Sequence, residues 1–226
     1  MTELAVAIGA FLAAHMIPSV PGLRDRLIGA VGRGPYMAGY SILSLVLLAW
    51  VVVAALRADT IPLWNPAPWQ GWVPLLVMPF ALWLLFAGLA SPNPLSVTMR
   101  KTGQPAPGGI VAVTRHPVLW GFSLWGLSHV PPNGHLAALI LFGGVALFGF
   151  LGMRMLDRRS RRTLGPRFDE FAASTSIVPF AAVLAGRARL DPPALFPAAV
   201  AALVVYTWFL LHGHLWLIGR DPLAGL

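Results

Sequence analysis

The chain has 226 residues, of which 57% are hydrophobic and only 11% charged, with a net charge of +8 and 9 tryptophans. A soluble domain carries about 25% charged residues, so this composition, with its long apolar runs, indicates an integral helical membrane protein with no room for a separate soluble domain. The absence of cysteine excludes disulfides, iron–sulfur clusters, thiolate ligands and cysteine nucleophiles. The positive charge sits mainly in loops, which is a topology signal with attraction to anionic lipid heads and gives no indication of nucleic acid.

The first apolar segment, Leu4 to Ile17, reads as a membrane helix and not as a signal peptide, because it lacks a basic n-region and a cleavage site. Pro18 and Pro21 stop it, and a basic loop with Arg24, Arg26 and Arg33 follows. A second span runs from Tyr36 to Leu56. The Pro- and Trp-rich connection Asp59 to Gly71 places Trp64, Trp69 and Trp72 as an aromatic belt. A third span covers Trp72 to Ala90, and Ser91 to Gly109 is a loop by its Pro and Gly content. The fourth span, Pro117 to Val130, turns through Pro131 to Gly134 into a fifth, His135 to Leu156. The most basic stretch follows, and a last span runs from Ala194 to Leu217. The expectation is an all-α, polytopic helical bundle of about six spans, forming a single membrane domain over residues 1–226.

Lys and Arg concentrate in the loops after the first, third and fifth spans. The positive-inside rule then puts both termini on the outer side, which is the periplasm if the membrane is the cytoplasmic membrane of a bacterium. His15, Arg24, Arg26, Arg100, Lys101, Arg115, His116, Arg154 and Asp157 fall at the inner leaflet. His129, His135, His212 and His214 fall at the outer one.

The stretch Thr114 to Gly126, TRHPVLWGFSLWG, carries the strongest candidate for chemistry. Pro117 suits the first helical position and pushes His116 out of the helical region. His116 is therefore expected at the cap, its ring near the first N–H groups of the helix and beside Arg115. Arg and His at a helix entrance also serve as interfacial anchors.

Ionisable groups inside membrane spans need a reason. Two imidazoles from different helices could ligate a haem iron on opposite sides, with Arg24, Arg26, Arg100, Lys101 and Arg115 at the depth of the propionates. The same pair, His15 and His116, could equally be interfacial histidines bonded to backbone carbonyls. Zinc is a poorer fit, with no cysteines and no H-E-x-x-H. Nothing in the spacing singles out a Ser-His-Asp triad.

Three stretches together carry a family resemblance: Thr114 to Gly126, Met153 to Phe180 (MRMLDRRSRRTLGPRFDEFAASTSIVPF), and Ala13 to Leu27 with its His15, Ser19, Leu23, Arg24 pattern. With these the chain resembles the NnrU family of bacterial membrane proteins over most of Leu4 to Phe180. Plant 15-cis-zeta-carotene isomerase, a haem b membrane enzyme, is similar to that family. The resemblance implies haem b with His15 and His116 as axial ligands, and Arg24, Arg26, Arg100 and Arg115 around the propionates. It also implies either cis–trans isomerisation of a lipophilic polyene or a role tied to nitric oxide and denitrification. The isomerase's proposed ligand switch involves a cysteine, which this chain lacks.

A more distant resemblance is to the isoprenylcysteine carboxyl methyltransferases. Arg115, His116, Pro117 and Gly121 match their first motif, and Asp157, Gly165, Phe168, Phe171, Val178 and Pro179 match the second. It implies S-adenosylmethionine as the alternative cofactor, contacted by Arg115, His116 and Asp157. Leu119 stands where that family has Tyr, and a single Asp157 stands for its acidic pair.

Overall fold

A computed structural model describes residues 1–16, 22–100, 103, 105–106 and 108–224. Among them every regular element is a helix. The chain divides into two compact units, Met1–Trp64 with Gly134–Leu141, and Asn65–Asn133 with Phe142–Leu226.

In the first unit, α1 (Thr2–Met16) packs along α3 (Arg33–Arg57). Leu4 and Ala7 on α1 are buried, as are Val51, Ala54 and Ala55 on α3. Alanines at such a seam let two backbones approach closely, which drives helix pairing in an apolar solvent. The predicted basic loop is in part a helix, α2 (Leu23–Val31). Its Leu, Arg and Ala residues are good helix formers. Glycines in unusual backbone conformations flank it, Gly22 at φ 77° and Gly32 at φ 85°. The predicted stop at Pro18 and Pro21 lies outside the described residues. The segment after α3 is tied to the start of a later long helix, α7 (Leu136–Leu164). Leu63 and Trp64 N–H groups donate to the Gly134 carbonyl at 2.7 and 3.2 Å, and Leu136 N–H donates to Ile61 O at 2.9 Å. A side chain at Gly134 would collide with the Trp64 carbonyl, so only glycine fits there.

The second unit contains α4 (Pro68–Ala90), α5 (Ile110–Val113) and α6 (Pro117–His129). It also holds residues 142–164 of α7 (Leu136–Leu164), then α8 (Pro166–Ala173), α9 (Ala181–Leu184) and α10 (Pro192–Ile218). α6 is the centre of this unit, packed against α4 on one side and α7 on the other. Glycines set both contacts. A Cβ on Gly121 would lie 2.8 Å from the Ala81 carbonyl oxygen, and one on Gly88 would lie 2.8 Å from the Pro117 ring. On the other side, a Cβ on Gly126 would strike the Phe142 carbonyl, and one on Gly149 would strike Ser123 Oγ. α10 closes on α4, with Tyr206 OH donating to Leu75 O at 2.9 Å. The core collects Leu84, Ala87, Ile110, Val113 and Leu195, with Trp120 and Phe180 packed against them.

Among the described residues four helices are long and apolar enough to cross a membrane unaided: α3, α4, α7 and α10. The chain is thus a multi-pass membrane protein. The first and fourth predicted spans, α1 and α6, have 15 and 13 residues. Each measures about 20 Å against a core of about 30 Å. The fifth runs to Leu164, eight residues past the predicted end at Leu156, because the arginines beyond it are themselves good helix formers.

The α4–α6 contact gives a sharp expectation. Gly121→Ala should lower stability by about 1–3 kcal/mol, since the added methyl meets backbone that cannot yield. Gly144→Ala meets open space and should not destabilise. Thermal unfolding of both variants in detergent checks this.

Candidate functional site

The site forms where α5 gives way to α6. Ile110 to Val113 are all buried, so the short α5 is anchored in the core and delivers Thr114, Arg115 and His116 at a fixed place. The backbone here is extended, and the segment before α9 satisfies it. Arg115 N–H donates to Ser176 O at 2.8 Å, Phe180 N–H to Val113 O at 2.7 Å, and Thr114 Oγ1 to Ile177 O at 2.7 Å. Trp120 Nε1 donates to the same Ile177 carbonyl at 2.8 Å. The Val-Pro stretch of the second motif is therefore a splint for the Arg-His-Pro stretch of the first.

His116 occupies the N-cap of α6 and Pro117 the first helical position, as expected. The ring makes no capping bond, which corrects the expected placement near the helix-start N–H groups. Both its nitrogens have stronger partners. Nε2 lies 2.8 Å from Asp157 Oδ1, and Nδ1 lies 2.9 Å from Ser96 Oγ. Arg115 donates to the other carboxylate oxygen, Asp157 Oδ2, at 3.0 Å. Asp157 can only accept from the Arg115 guanidinium, and it accepts from His116 as well. The network thus assigns the imidazole proton to Nε2, leaving Nδ1 to accept from the Ser96 hydroxyl. The His116 side chain is fully buried, and Arg115 and Asp157 are 9% and 15% exposed.

Arg115 is held from two further sides. Its carbonyl accepts from Asn93 Nδ2 at 3.0 Å, and its guanidinium lies 5.5 Å from the Phe168 ring. Arg161 lies 5.1 Å from that ring, so Phe168 packs against two guanidinium groups. Burial draws the Arg115 guanidinium below the usual arginine range, and the Asp157 charge opposes that pull. Its Nε is buried with no hydrogen-bond partner among the described residues.

Of the sequence candidates, the structure brings Arg115, His116 and Asp157 into one cluster. Arg100 is exposed, with its backbone N–H on Thr98 Oγ1. His15, Arg24 and Arg26 belong to the first unit. There His15 donates from Nδ1 to the Phe11 carbonyl at 2.8 Å, and its ring lies 4.1 Å from Phe11 and 5.7 Å from Tyr40. Arg24 is half-buried and Arg26 exposed on α2. Lys101 and Ser19 lie outside the described residues. The sequence reading missed Ser96 and Asn93, and it named Phe168 only as part of the second motif. Asn93 did carry a local signal: its Oδ1 accepts from Leu95 N–H two residues on, the turn that Asn favours. Ser96 carried none. It gives the site a serine, a histidine and an aspartate in line, which the spacing did not disclose.

An ion pair in an apolar surround is most costly when broken on one side. Asp157→Leu should destabilise by about 3–5 kcal/mol, because it strands the Arg115 charge. The double variant Arg115→Leu/Asp157→Leu should be less destabilised than Asp157→Leu alone. Denaturant titration of the three proteins measures the coupling.

Two curated relatives match part of the chain. One is 15-cis-zeta-carotene isomerase, chloroplastic, of Zea mays, 34% identical over 82 residues, 36% of this chain and 22% of the relative. The other is the protein of that name from Arabidopsis thaliana, 34% identical over 79 residues, 35% of this chain and 22% of the relative. The match thus covers about a fifth of the length of these relatives. No solved structure matches significantly. The family described as NnrU protein matches residues 3–222, which extends the resemblance through the last span. The chain belongs to the NnrU family of membrane proteins.

Proposed function

We propose that this protein is an isomerase-type membrane protein acting on the cis–trans geometry of a lipophilic conjugated polyene, with haem b as cofactor and His15 and His116 as candidate ligands. The observation that carries the reading is the buried His116–Asp157–Arg115 cluster in a chain related to zeta-carotene isomerases. The loop charges support a bacterial cytoplasmic membrane with periplasmic termini.

The donor set fits haem. A ligating histidine almost always has its other ring nitrogen bonded to a carboxylate or a backbone carbonyl. His116 has the carboxylate of Asp157, and His15 the carbonyl of Phe11. His116 has both nitrogens engaged, so ligation takes one and gives up one partner, and the remaining partner fixes the ring. Arg115, whose Nε is buried with no hydrogen-bond partner among the described residues, would supply a cation for a propionate.

When bound, haem supplies reversible one-electron chemistry, and a conjugated polyene that gains or loses an electron has a weakened central double bond. The product has the same atoms and electrons as the substrate, so no co-reactant is consumed. The chain's own part is positional. Asp157 holds the proton at Nε2 of His116 and fixes the plane of the ring. Arg115 offsets the carboxylate charge, so the cluster stays neutral inside an apolar fold. The glycine contacts of α6 hold the ring's backbone in register.

The same three residues are those of the S-adenosylmethionine alternative. Asp157, the one carboxylate in the cluster, is already engaged by Arg115 and His116. That leaves it poorly placed to hold the ammonium group of that cofactor, so the haem reading is preferred.

The test is an absorption spectrum of the detergent-purified protein made with ample haem, then incubation with a cis-configured polyene. The expected result is a Soret band that sharpens with α and β bands on reduction, lost in His15→Ala and in His116→Ala, together with conversion of the polyene. A featureless spectrum removes haem and turns the test to calorimetry with S-adenosylmethionine. A haem that binds nitric oxide while the polyene stays unchanged replaces the isomerase role with one tied to denitrification.

A further inference from the structure

The outward face of α7 changes character along its length. Phe148, Leu151 and Met155 follow one another at three- and four-residue steps, Leu147 lies four residues before Leu151, and all four are more than 40% exposed. The next residues on the same face are Arg158, Arg159, Arg162 and Thr163, which with Met155 line an open hollow of about 380 Å³. One helical stripe thus runs from apolar to cationic without a break. Steps of three and four keep it on one side of the helix.

These arginines are not accounted for by the fold. Asp157 is taken by Arg115 and His116, and Asp169 by Arg161 at 3.5 Å. Among the described residues no acid pairs with Arg158, Arg159 or Arg162. Like charges three and four apart on a helix repel. An anion in the hollow would relieve that repulsion. The exposed apolar stripe directly before it requires that the anion carry hydrocarbon.

We propose that this face of α7 binds an anionic glycerophospholipid, its phosphate among Arg158, Arg159, Arg162 and Thr163 and its acyl chains along Met155, Leu151, Phe148 and Leu147. The lipid belongs to the leaflet in which α7 ends. The order along the helix matches the order within the lipid, head group beyond chains. This site is separate from the His116 cluster and does not depend on the isomerase reading.

The experiment is native mass spectrometry of the full chain in detergent, titrated with phosphatidylglycerol. The variants are Arg158→Gln/Arg159→Gln/Arg162→Gln and, as a control of equal charge change, Arg57→Gln/Arg189→Gln/Arg220→Gln. The expected result is a lipid adduct on the wild type and control, weakened about a hundredfold in the α7 variant. The single variant Arg162→Gln should weaken it about fivefold, which keeps the test open if the triple variant folds poorly. Equal loss in both triple variants would show only an effect of net charge and overturn the site. Unchanged binding in the α7 variant would overturn it too. Displacement of the lipid by soluble glycerophosphate at equal concentration would show a free-phosphate site and contradict the role of the apolar stripe.

Discussion

The carboxylate of Asp157 is the constraint on which the second unit depends. It sits on α7, amid a chain that is mostly hydrocarbon, and a lone charge there would be expensive. Arg115 balances it through one oxygen and His116 uses the other. The consequence is geometric. α6 begins at His116, so the bond from Asp157 fixes the register between α6 and α7 as surely as the glycine contacts do. The segment 174–180 then has to lie alongside, because Arg115 and Thr114 need its carbonyls. Two motifs more than forty residues apart are thus halves of one device.

Much of this was legible in the sequence. Apolar runs and prolines marked α3, α4, α6 and α10 within a few residues, because hydrophobicity over a long window is a strong signal. Pro117 correctly located the start of α6. Arg115, His116 and Asp157 could be named as candidates, since ionisable groups are scarce here and stand out. α2 was not legible, because a run with two arginines and an aspartate reads as a loop when charge is the guide. The end of α7 was missed for the same reason. Ser96 and Asn93 were hidden in a Pro-rich loop, and their part in the site is a matter of tertiary placement that no local pattern encodes.

The structure also changes what His116 is. On sequence it is a ring at a helix entrance, equally an anchor or a ligand. In the fold it is fully buried and bonded at both nitrogens, which an interfacial anchor would not be. His15 keeps the plainer environment of a helix end, bonded to its own helix and lying against the rings of Phe11 and Tyr40. The contrast marks His116 as the organised centre. It also gives Asp157 a functional part in the proposed reading: a carboxylate behind a histidine sets both the tautomer and the basicity of the ring.

The most direct test of this account is nitrogen-15 spectroscopy of the protein labelled in its histidines, with His116→Gln used to assign the signal. The expected result is a His116 resonance with a protonated Nε2 that shifts when Asp157 is replaced by Asn, while the other histidines stay in place. A His116 resonance indifferent to that replacement would mean that the ring is not held by Asp157, and the central claim would fail.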